Sequence, residues 1–276
     1  MSPTSDSNGN SGVSYYDANY GNFQTELYAE IRREAFGDDI GQNSWLTATE
    51  QDTFLGWLDL SSGKRLLDVA CGSGGPALRM AALTGCSIVG IDLHEQAISA
   101  AELLAAQRGL QAQAEFRVAN ASEPLPFPEE DFDAITCIDA INHLPNRPLV
   151  IERWTRLLKP GGRLLFTNPT TVTGPLTSEE IAARSSVGFL LFVPQGYDKD
   201  LIAHSGLRLL VCRDVTANVT EVAKKRRLAR EKRSAAVRQV ESDRTYEAQQ
   251  DFLAMTSRLA GEGRLSRFVY VADKIK

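Results

Sequence analysis

The sequence predicts an α/β fold in which helices cover both faces of a largely parallel sheet. Three observations favour this fold. Short apolar runs alternate with amphipathic segments over residues 65–167, the first run ends in a glycine-rich turn, and the second ends in an acid. Strict alternation of strands and helices is typical of doubly wound parallel sheets with right-handed crossovers.

Each element of this alternation can be placed from apolar spacing and from turn residues. The predicted strands are 65–70, 87–92, 114–119, 132–138 and 163–167. The predicted helices follow Pro76, span 95–108 before the C-cap Gly109, and span 147–158 before Lys159-Pro160-Gly161-Gly162. Beyond Asn168 the pattern loosens, with further strands predicted at 207–214 and 267–272.

The flanking segments predict a helical cover. Residues 1–12 are rich in Ser, Asn and Gly and are expected to be disordered. Residues 13–60 form a predicted N-terminal helical cap, in which Thr47 or Thr49 begins the second helix. Residues 61–276 form the main domain, with helical insertions at about 170–206 and 216–262.

Composition excludes several classes of protein. The chain has 30 Lys and Arg against 35 Asp and Glu, and this net charge of −5 disfavours nucleic acid as the main partner. Four cysteines and three histidines match no zinc spacing, so no metal is expected. The N-terminus is not a signal peptide, and no run approaches the roughly 20 apolar residues of a bilayer span. A cytoplasmic protein without membrane contact is therefore expected.

Acids and glycines meet at the predicted tips of the first two strands. Gly72-x-Gly74-x-x-Ala77, with Asp92 twenty residues beyond Gly72, fits the weak dinucleotide fingerprint. Asp68, however, would repel a pyrophosphate and suits a cationic ligand such as S-adenosylmethionine, while Asp92 can accept from two ribose hydroxyls. Each acid alone fits a turn or helix cap equally well, but together at adjacent strand tips they favour ligand binding.

At these residues the chain resembles the class I S-adenosylmethionine-dependent methyltransferases. The matching stretches are Leu67–Gly75, Val89–Leu93, Leu125–Asp133 and Leu157–Leu164. The resemblance covers about residues 63–170 and implies a Rossmann-like sheet of seven strands with an antiparallel last strand. It implies S-adenosylmethionine as cofactor, S-adenosylhomocysteine as product, and cofactor contacts at Asp68, Ala70, Gly72, Gly74, Asp92, Leu93, Asn120, Ala121 and Ile138.

The chain departs from the family pattern at two positions. Ala70 replaces a frequent glycine, which is tolerable where its φ is negative. Asn120 replaces a frequent adenine-binding Asp. Its amide oxygen can still accept from an adenine amino group, although a turn cap is an equally good interpretation.

The segment Cys137–Leu144 resembles small-molecule methyltransferases of the phosphoethanolamine, glycine/sarcosine and ubiquinone-pathway types. Asp139 and His143 stand at i, i+4, so one helical turn would place both on the same face beside the sulfonium. The resemblance implies that this pair contacts the acceptor. Because an imidazole can take a proton at neutral pH, His143 is the candidate base, with Asp139 orienting it or the acceptor, although a capping histidine remains open. The stretch 36–44 resembles the loop that reaches the methionine end of the cofactor in these enzymes. The resemblance therefore adds Gln42 and Asn43 to the predicted cofactor contacts.

A tyrosine of the N-terminal helix often closes such sites. Tyr20 is favoured for this role over Tyr15, Tyr16 and Tyr28. Tyr28, Asn168, Phe189 and Phe192 are candidate substrate contacts, while most of the apolar run 189–193 is expected to be core. The predicted acceptor is a small organic molecule, such as an aromatic or polyketide-like natural product, with N-, O- and C-methylation left open.

Three alternative functions remain open. A tRNA or protein methyltransferase would use the basic stretch 224–233, although a solvated helix face is the favoured interpretation of that stretch. An NAD-dependent dehydrogenase would use the glycine turn. A non-methylating cyclase of the same fold would bind the cofactor without consuming it. The sequence also leaves a homodimer open.

Overall fold

The computed structural model describes residues 20–275. The predicted disorder at 1–12 and the alternatives Tyr15 and Tyr16 lie outside the described residues. None of the helices within 20–275 is long and apolar enough to cross a membrane.

One twisted sheet organises the described chain, in the order β3-β2-β1-β4-β5-β8-β7, and β6 pairs with the end of β5. Strands β1 to β5 are parallel, whereas β8 runs antiparallel between β5 and β7. The strands are β1 (Arg65–Val69), β2 (Ser87–Asp92), β3 (Ala114–Val118), β4 (Phe132–Cys137), β5 (Leu158–Val172), β6 (Val193–Pro194), β7 (Leu207–Asp214) and β8 (Leu265–Lys274). The predicted Rossmann-like fold is confirmed, and the two-residue β6 is an addition to the seven expected strands.

Helices flank both faces and build the cover. They are α1 (Glu26–Phe36), α2 (Ala48–Leu58), α3 (Gly75–Thr84), α4 (Glu95–Gln107), α5 (Arg147–Leu157), α6 (Ser178–Arg184), α7 (Tyr197–His204), α8 (Thr216–Lys232), α9 (Ser234–Val240) and α10 (Asp243–Gly261). Short 3-10 helices lie at Ile141–His143 and Ser185–Val187. Thr47 is the residue that caps α2, because its side chain accepts from the Glu50 amide.

Two elements differ from the expectation. Strand β5 continues to Val172 instead of ending at Thr167, because β8 resumes pairing beyond an irregularity and joins Thr171 to Ser266. Asn168 therefore lies inside a strand. The charged stretch predicted as one long helical region is divided into α8, α9 and α10, and Ser242 begins the last of these by capping Thr245.

The two faces of the sheet carry separate apolar layers. Trp154 and Ile151 pack on one face, whereas Phe54 and Leu58 pack on the other. The cover has its own cluster, in which Trp45 meets apolar residues of α8 and α10. Burial of this apolar surface supplies most of the stability of such a fold and holds the cover against one edge of the sheet.

Candidate active site

The carboxyl ends of β1, β2 and β4 border a cavity of about 510 Å³, here called the main cavity. Many of the residues predicted from sequence line it: Tyr20, Asn43, Asp68, Ala70, Gly72, Asp92, Leu93, Asn120, Ala121, Ile138, Asp139, His143 and Phe189. Five other predicted residues do not line it: Tyr28, Gln42, Gly74, Asn168 and Phe192. The fold thus gathers side chains from well-separated segments at the edge where doubly wound sheets bind ligands.

The glycine-rich turn after β1 needs left-handed backbone at three positions. Ala70 has a φ of +56°, so the negative φ at which alanine would be tolerated without strain is not found, and the residue is strained. Gly72 has a φ of +55°, and a Cβ there would stand 2.8 Å from the Tyr20 hydroxyl. At Gly74 a Cβ would collide with Ala101 and Phe116, so this glycine permits helix packing behind the main cavity.

Asp68 ends β1 and is 5% exposed. Its carboxylate accepts from Thr136 Oγ1 at 2.7 Å. Burial raises the pKa of Asp68 to about 7, because desolvation disfavours the charged form. A cation placed beside this carboxyl group would favour its ionised form again.

Asp92 ends β2, and its carboxylate organises the neighbouring backbone. One oxygen accepts from the Gly72 amide at 2.9 Å, and the other accepts from the His94 amide at 3.0 Å. Burial raises the pKa of this group. The capping interpretation therefore has a geometric basis, yet a carboxylate offers about four lone-pair sites, so Asp92 can also accept from a ligand's hydroxyls.

Asn120 follows β3 and, like Asp92, both accepts from the backbone and lines the main cavity. Its amide oxygen accepts from the Ser122 amide at 3.0 Å, which is a turn cap, while the residue lines the main cavity. An amide oxygen has two lone pairs, so this cap leaves one acceptor position for a ligand.

The loop before α2 reaches the main cavity through Asn43. Gln42 is 1% exposed and braces this loop, accepting from the Ile40 amide at 2.9 Å and donating to the Asp38 carbonyl at 3.2 Å. At Gly75 a Cβ would lie 2.2 Å from the Ile40 carbonyl oxygen, so only glycine admits the loop there. Sequence reasoning missed this role of Gly75, although its place in the glycine turn was a signal.

Asp139 follows β4 with a φ of +55°, so it does not begin the expected turn of α-helix. Its carboxylate accepts from the Trp45 amide at 2.9 Å, from Thr167 Oγ1 at 2.7 Å, and from Arg267 Nε at 2.6 Å. Arg267 is fully buried, and its Nη1 donates to both carboxylate oxygens of Glu50, at 2.7 and 2.8 Å. This buried ion cluster was not predicted.

His143 lies in the 3-10 helix and lines the main cavity. Its Nδ1 stands 2.9 Å from the Phe189 carbonyl oxygen. Burial lowers the pKa of His143 to about 4, so the ring is neutral at neutral pH. Since a carbonyl only accepts, Nδ1 carries the proton and Nε2 is the basic nitrogen.

The apolar run 189–193 is not mostly core, and within it Phe189 lines the main cavity while Leu190 lines the wall of a smaller neighbouring cavity. Phe189 is 57% exposed, residues 190–192 are half-buried, and only Val193 is buried. The Leu191 amide donates to the Asn142 carbonyl at 2.7 Å, which fastens the segment to the 3-10 helix. Polar contacts with that helix thus hold an apolar segment at the surface.

Tyr20 borders the main cavity, whereas Tyr28 and Asn168 lie away from it. Tyr20 is 9% exposed and packs on the glycine turn, its ring centroid 6.0 Å from that of His94. Tyr28 donates its hydroxyl to Glu241. Asn168 is fully buried and donates to Asp198 at 2.7 Å.

A second cavity of about 70 Å³, here called the side cavity, adjoins the main one. The two share Asn43, Ser44, Asp139, His143 and Val187. The rest of its wall comes from the 3-10 helix after β4, the end of β5, and the cover: Trp45, Asn142, Pro169, Arg184, Leu190, Arg226, Gln249, Phe252 and Leu253. No local motif marks the cover residues, and sequence reasoning missed them.

Residues 60–190 match the family of methyltransferase domains. The chain is 33% identical to the 27-O-demethylrifamycin SV methyltransferase of Amycolatopsis mediterranei over 168 aligned residues. The alignment covers 58% of this chain and 61% of that protein. The match thus spans less than two thirds of that relative's length.

Two solved structures share the fold. One is Haemonchus contortus phosphoethanolamine N-methyltransferase 2 with phosphomonomethylethanolamine and S-adenosylhomocysteine, at a TM-score of 0.78 and 19% identity over 95% of this chain and 60% of that one. The other is the (4+2)-cyclase SpnF, at a TM-score of 0.74 and 21% identity over 98% and 99% of the two chains. The cofactor of the matched family is S-adenosylmethionine. The family match covers the strand tips that border the main cavity, and together with these relatives it supports a class I S-adenosylmethionine-dependent methyltransferase.

Proposed function

We propose that the protein transfers the methyl group of S-adenosylmethionine to a nitrogen, oxygen or carbon nucleophile of a small organic molecule, in natural-product metabolism. One observation carries the proposal: Asp68 and Asp92, at adjacent strand tips, share one cavity with the neutral imidazole of His143. The relative named as a rifamycin methyltransferase supports an acceptor of this class.

The residues present fit the cofactor. Asp92 would hold the ribose hydroxyls, Asp68 would face the cationic end, and Asn120 with Ala121 would meet the adenine. When bound, S-adenosylmethionine supplies an electrophilic methyl group on a positively charged sulfur. The lack of a Cβ at Gly72 keeps room in the turn, where Tyr20 already packs closely.

The chain's own residues then orient the acceptor and move one proton. His143 Nε2 takes the proton that the nucleophile loses, while Nδ1–H stays bound to Phe189. Asp139 is a positioning residue. Its carboxylate accepts from the Trp45 amide and so holds Trp45 at the wall of the side cavity. Tyr20 and residues 187–189 border the main cavity and exclude water, and alignment of the reactants supplies most of the acceleration.

Calorimetric titration of S-adenosylmethionine and S-adenosylhomocysteine tests this proposal. Asp92→Asn and Asp68→Asn should each weaken binding by about tenfold to a hundredfold, because each removes charge-assisted hydrogen bonds. Asp200→Asn, an exposed acid on α7, is the matched control and should bind normally. A wild-type protein that binds neither ligand would refute the proposed cofactor site. Wild-type affinity in both Asp variants would refute it as well.

A cyclase is the second candidate, because the similarity to SpnF extends over nearly the whole of both chains. A cyclase would bind the cofactor but release no S-adenosylhomocysteine during turnover. Mass spectrometry of the product mixture separates the two functions, since each methyl transfer must release one molecule of that product. The same titrations with NAD should show no binding, which would remove the dehydrogenase alternative.

The basic stretch 224–233 gives less support to a tRNA or protein acceptor. Arg233 pairs with Glu30 and Glu34, Lys232 also pairs with Glu34, and Arg230 pairs with Glu241 at 2.8 Å. Much of the positive charge is thus neutralised within the chain, which favours a small, freely diffusing acceptor. Salt-sensitive binding of tRNA would contradict this part of the proposal.

A further inference from the structure

A buried ion cluster connects β8 to the wall of both cavities. Arg267, in β8, is fully buried, so its side chain cannot itself touch a ligand in either cavity. Its Nε donates to Asp139 Oδ1 at 2.6 Å, and its Nη1 donates to both carboxylate oxygens of Glu50 at 2.7 and 2.8 Å. One guanidinium group therefore joins Asp139, which lines both cavities, to an acid of α2.

The two acids of this cluster hold residues 43–50, here called the α2 segment, at two points. Asp139 Oδ2 accepts from the Trp45 amide at 2.9 Å. Glu50 lies in the first turn of α2, and its own amide donates to the Thr47 side chain that caps the helix. Arg267 therefore fixes the segment directly at Glu50 and, through Asp139, at Trp45.

Asp139 depends on its partners for its conformation. Its φ of +55° is left-handed, which is uncommon for a residue other than glycine and persists only where the surrounding structure imposes it. Thr167 Oγ1 accepts from the Asp139 amide and donates to Oδ1, both at 2.7 Å. Arg267 shares Oδ1 with this hydroxyl, which leaves Oδ2 for the Trp45 amide. Arg267 and Thr167 together thus orient the carboxylate toward the α2 segment.

The α2 segment brings polar groups to both cavities. Asn43 and Ser44 line the main cavity and the side cavity, and Trp45 lines the side cavity. The residues just before the segment pack on the glycine-rich turn, where Ser73 Oγ donates to the Gly41 carbonyl at 3.0 Å. A displacement of the segment would therefore move groups that face the cofactor and the acceptor at the same time.

The geometry of the cluster needs an arginine. The guanidinium group is planar and its donors point in several fixed directions, so one side chain can bind two carboxylates at once. Lysine keeps the positive charge but presents it on one compact ammonium group. It cannot reproduce the contacts with Asp139 and Glu50 together, so a lysine at this position separates the charge of Arg267 from its bridging geometry.

We propose that Arg267 is a positioning residue of the methyl-transfer site, which acts through Asp139 and Glu50 to hold the α2 segment at the wall of both cavities. This inference rests on the proposed function and adds to it a residue of β8 that touches neither substrate. Arg267 moves no proton. It sets how well Asn43 and Ser44 meet the cofactor, so its loss weakens cofactor binding in protein that is still folded.

Arg267→Lys tests the position of the α2 segment by nuclear magnetic resonance of protein labelled with 15N-tryptophan. The chain has three tryptophans, so three backbone amide signals are expected, and Trp45→Phe identifies the signal of Trp45. In Arg267→Lys the Trp45 amide should shift upfield and exchange with D2O about tenfold faster, because its bond to Asp139 is weakened. Trp154, on α5 at the opposite face of the sheet, is the internal reference and should not change.

Calorimetry with S-adenosylhomocysteine tests the effect on the site. Arg267→Lys should bind this ligand about tenfold more weakly than wild type, at a temperature where thermal melts show the variant folded. Glu50→Gln keeps an acceptor for Nη1 but loses the charge, so it should change the Trp45 exchange rate and the affinity in the same directions by about threefold. Arg208→Lys is the matched control, because Arg208 forms an exposed pair with Asp273, and it should change neither measurement.

A lower melting temperature of Arg267→Lys with an unchanged Trp45 signal would overturn the proposal, because Arg267 would then only stabilise the fold. A displaced Trp45 signal with wild-type affinity for S-adenosylhomocysteine would overturn it too, since the segment would then move without effect on the site. If Arg267→Lys does not fold, the same two measurements on Glu50→Gln decide. A wild type that fails to bind S-adenosylhomocysteine refutes the proposed function instead.

Discussion

The main cavity and the side cavity differ in how the chain builds them. Three neighbouring strand tips and their backbone turns shape the main cavity, and Asp68, Gly72 and Asp92 lie within one short stretch of sequence. The side cavity joins residues of the loop before α2, the 3-10 helix after β4, and helices α6, α8 and α10. A site built from a local turn can be recognised in sequence, whereas a site built where distant helices meet cannot.

The two cavities also differ in how charge is held. In the main cavity buried acids accept from backbone amides and a hydroxyl. At the side cavity the buried Arg184 donates to Thr256 Oγ1, and the half-buried Arg226 donates to Asn43. These contacts join residues of different elements, whereas those of the main cavity are mostly made to the backbone of a neighbouring turn.

The largest effect is expected at Arg267, which binds Asp139 of both cavity walls. Arg267→Met should lower the free energy of unfolding by about 3–5 kcal/mol, because Glu50 and Asp139 would lose their shared buried cation. Urea denaturation measures the change. Arg208→Met removes an exposed pair with Asp273 and should cost less than about 1 kcal/mol. Equal losses in the two variants would contradict this difference.

The next effect concerns His143, which both cavities share. His143→Ala should lower turnover by about a hundredfold to ten-thousandfold, because a positioned base is lost. S-adenosylhomocysteine affinity should barely change. Release of S-adenosylhomocysteine from a methylated acceptor gives the rate, and calorimetry gives the affinity. Unchanged turnover would leave His143 as a structural residue that holds Phe189.

Asp68 gives the main cavity a pH dependence close to neutral pH. Its pKa of about 7 means that the carboxyl group gains a proton as the pH falls below neutral. Because the ionised form attracts a cation, S-adenosylmethionine affinity should fall below pH 7, approaching about tenfold per pH unit. Calorimetry at pH 6, 7 and 8 measures this slope. Asp68→Asn should bind weakly at every pH, and a slope that persists in this variant would exclude Asp68 as its cause.

The smallest effect is expected in the glycine turn. Ala70→Gly should raise the free energy of unfolding by up to about 1 kcal/mol, because glycine removes left-handed strain but adds chain entropy. Ala140, with a φ of −126°, is the matched control, and Ala140→Gly should destabilise. Thermal melts of both variants make the comparison, and destabilisation at position 70 would show that Ala70 is not strained.

Sequence patterns predicted the strand tips well, since a short apolar run followed by glycine or an acid fixes where a buried strand ends. Asp68 and Asp92 therefore lie at the predicted edge. These patterns did not predict the left-handed conformation of Ala70. An alanine adopts a φ of +56° only because the surrounding turn imposes it. Asn168 was misplaced for a related reason, since pairing with β8 extends β5 past it.

The cover was harder to predict because its contacts join residues far apart in sequence. Tyr20 and Tyr28 belong to the same N-terminal region, yet packing directs one to the glycine turn and the other to Glu241. Arg267 reaches Asp139 across 128 positions. Apolar periodicity does not indicate such pairs, so the residues on the acceptor side of the site could not be predicted from the sequence.

The hydrogen bond from the His143 ring to the Phe189 carbonyl ties the choice of imidazole tautomer to one backbone position. A shift of Phe189 that breaks this bond would remove the acceptor that favours hydrogen on Nδ1. The backbone at Phe189 therefore helps to decide which ring nitrogen can accept a proton.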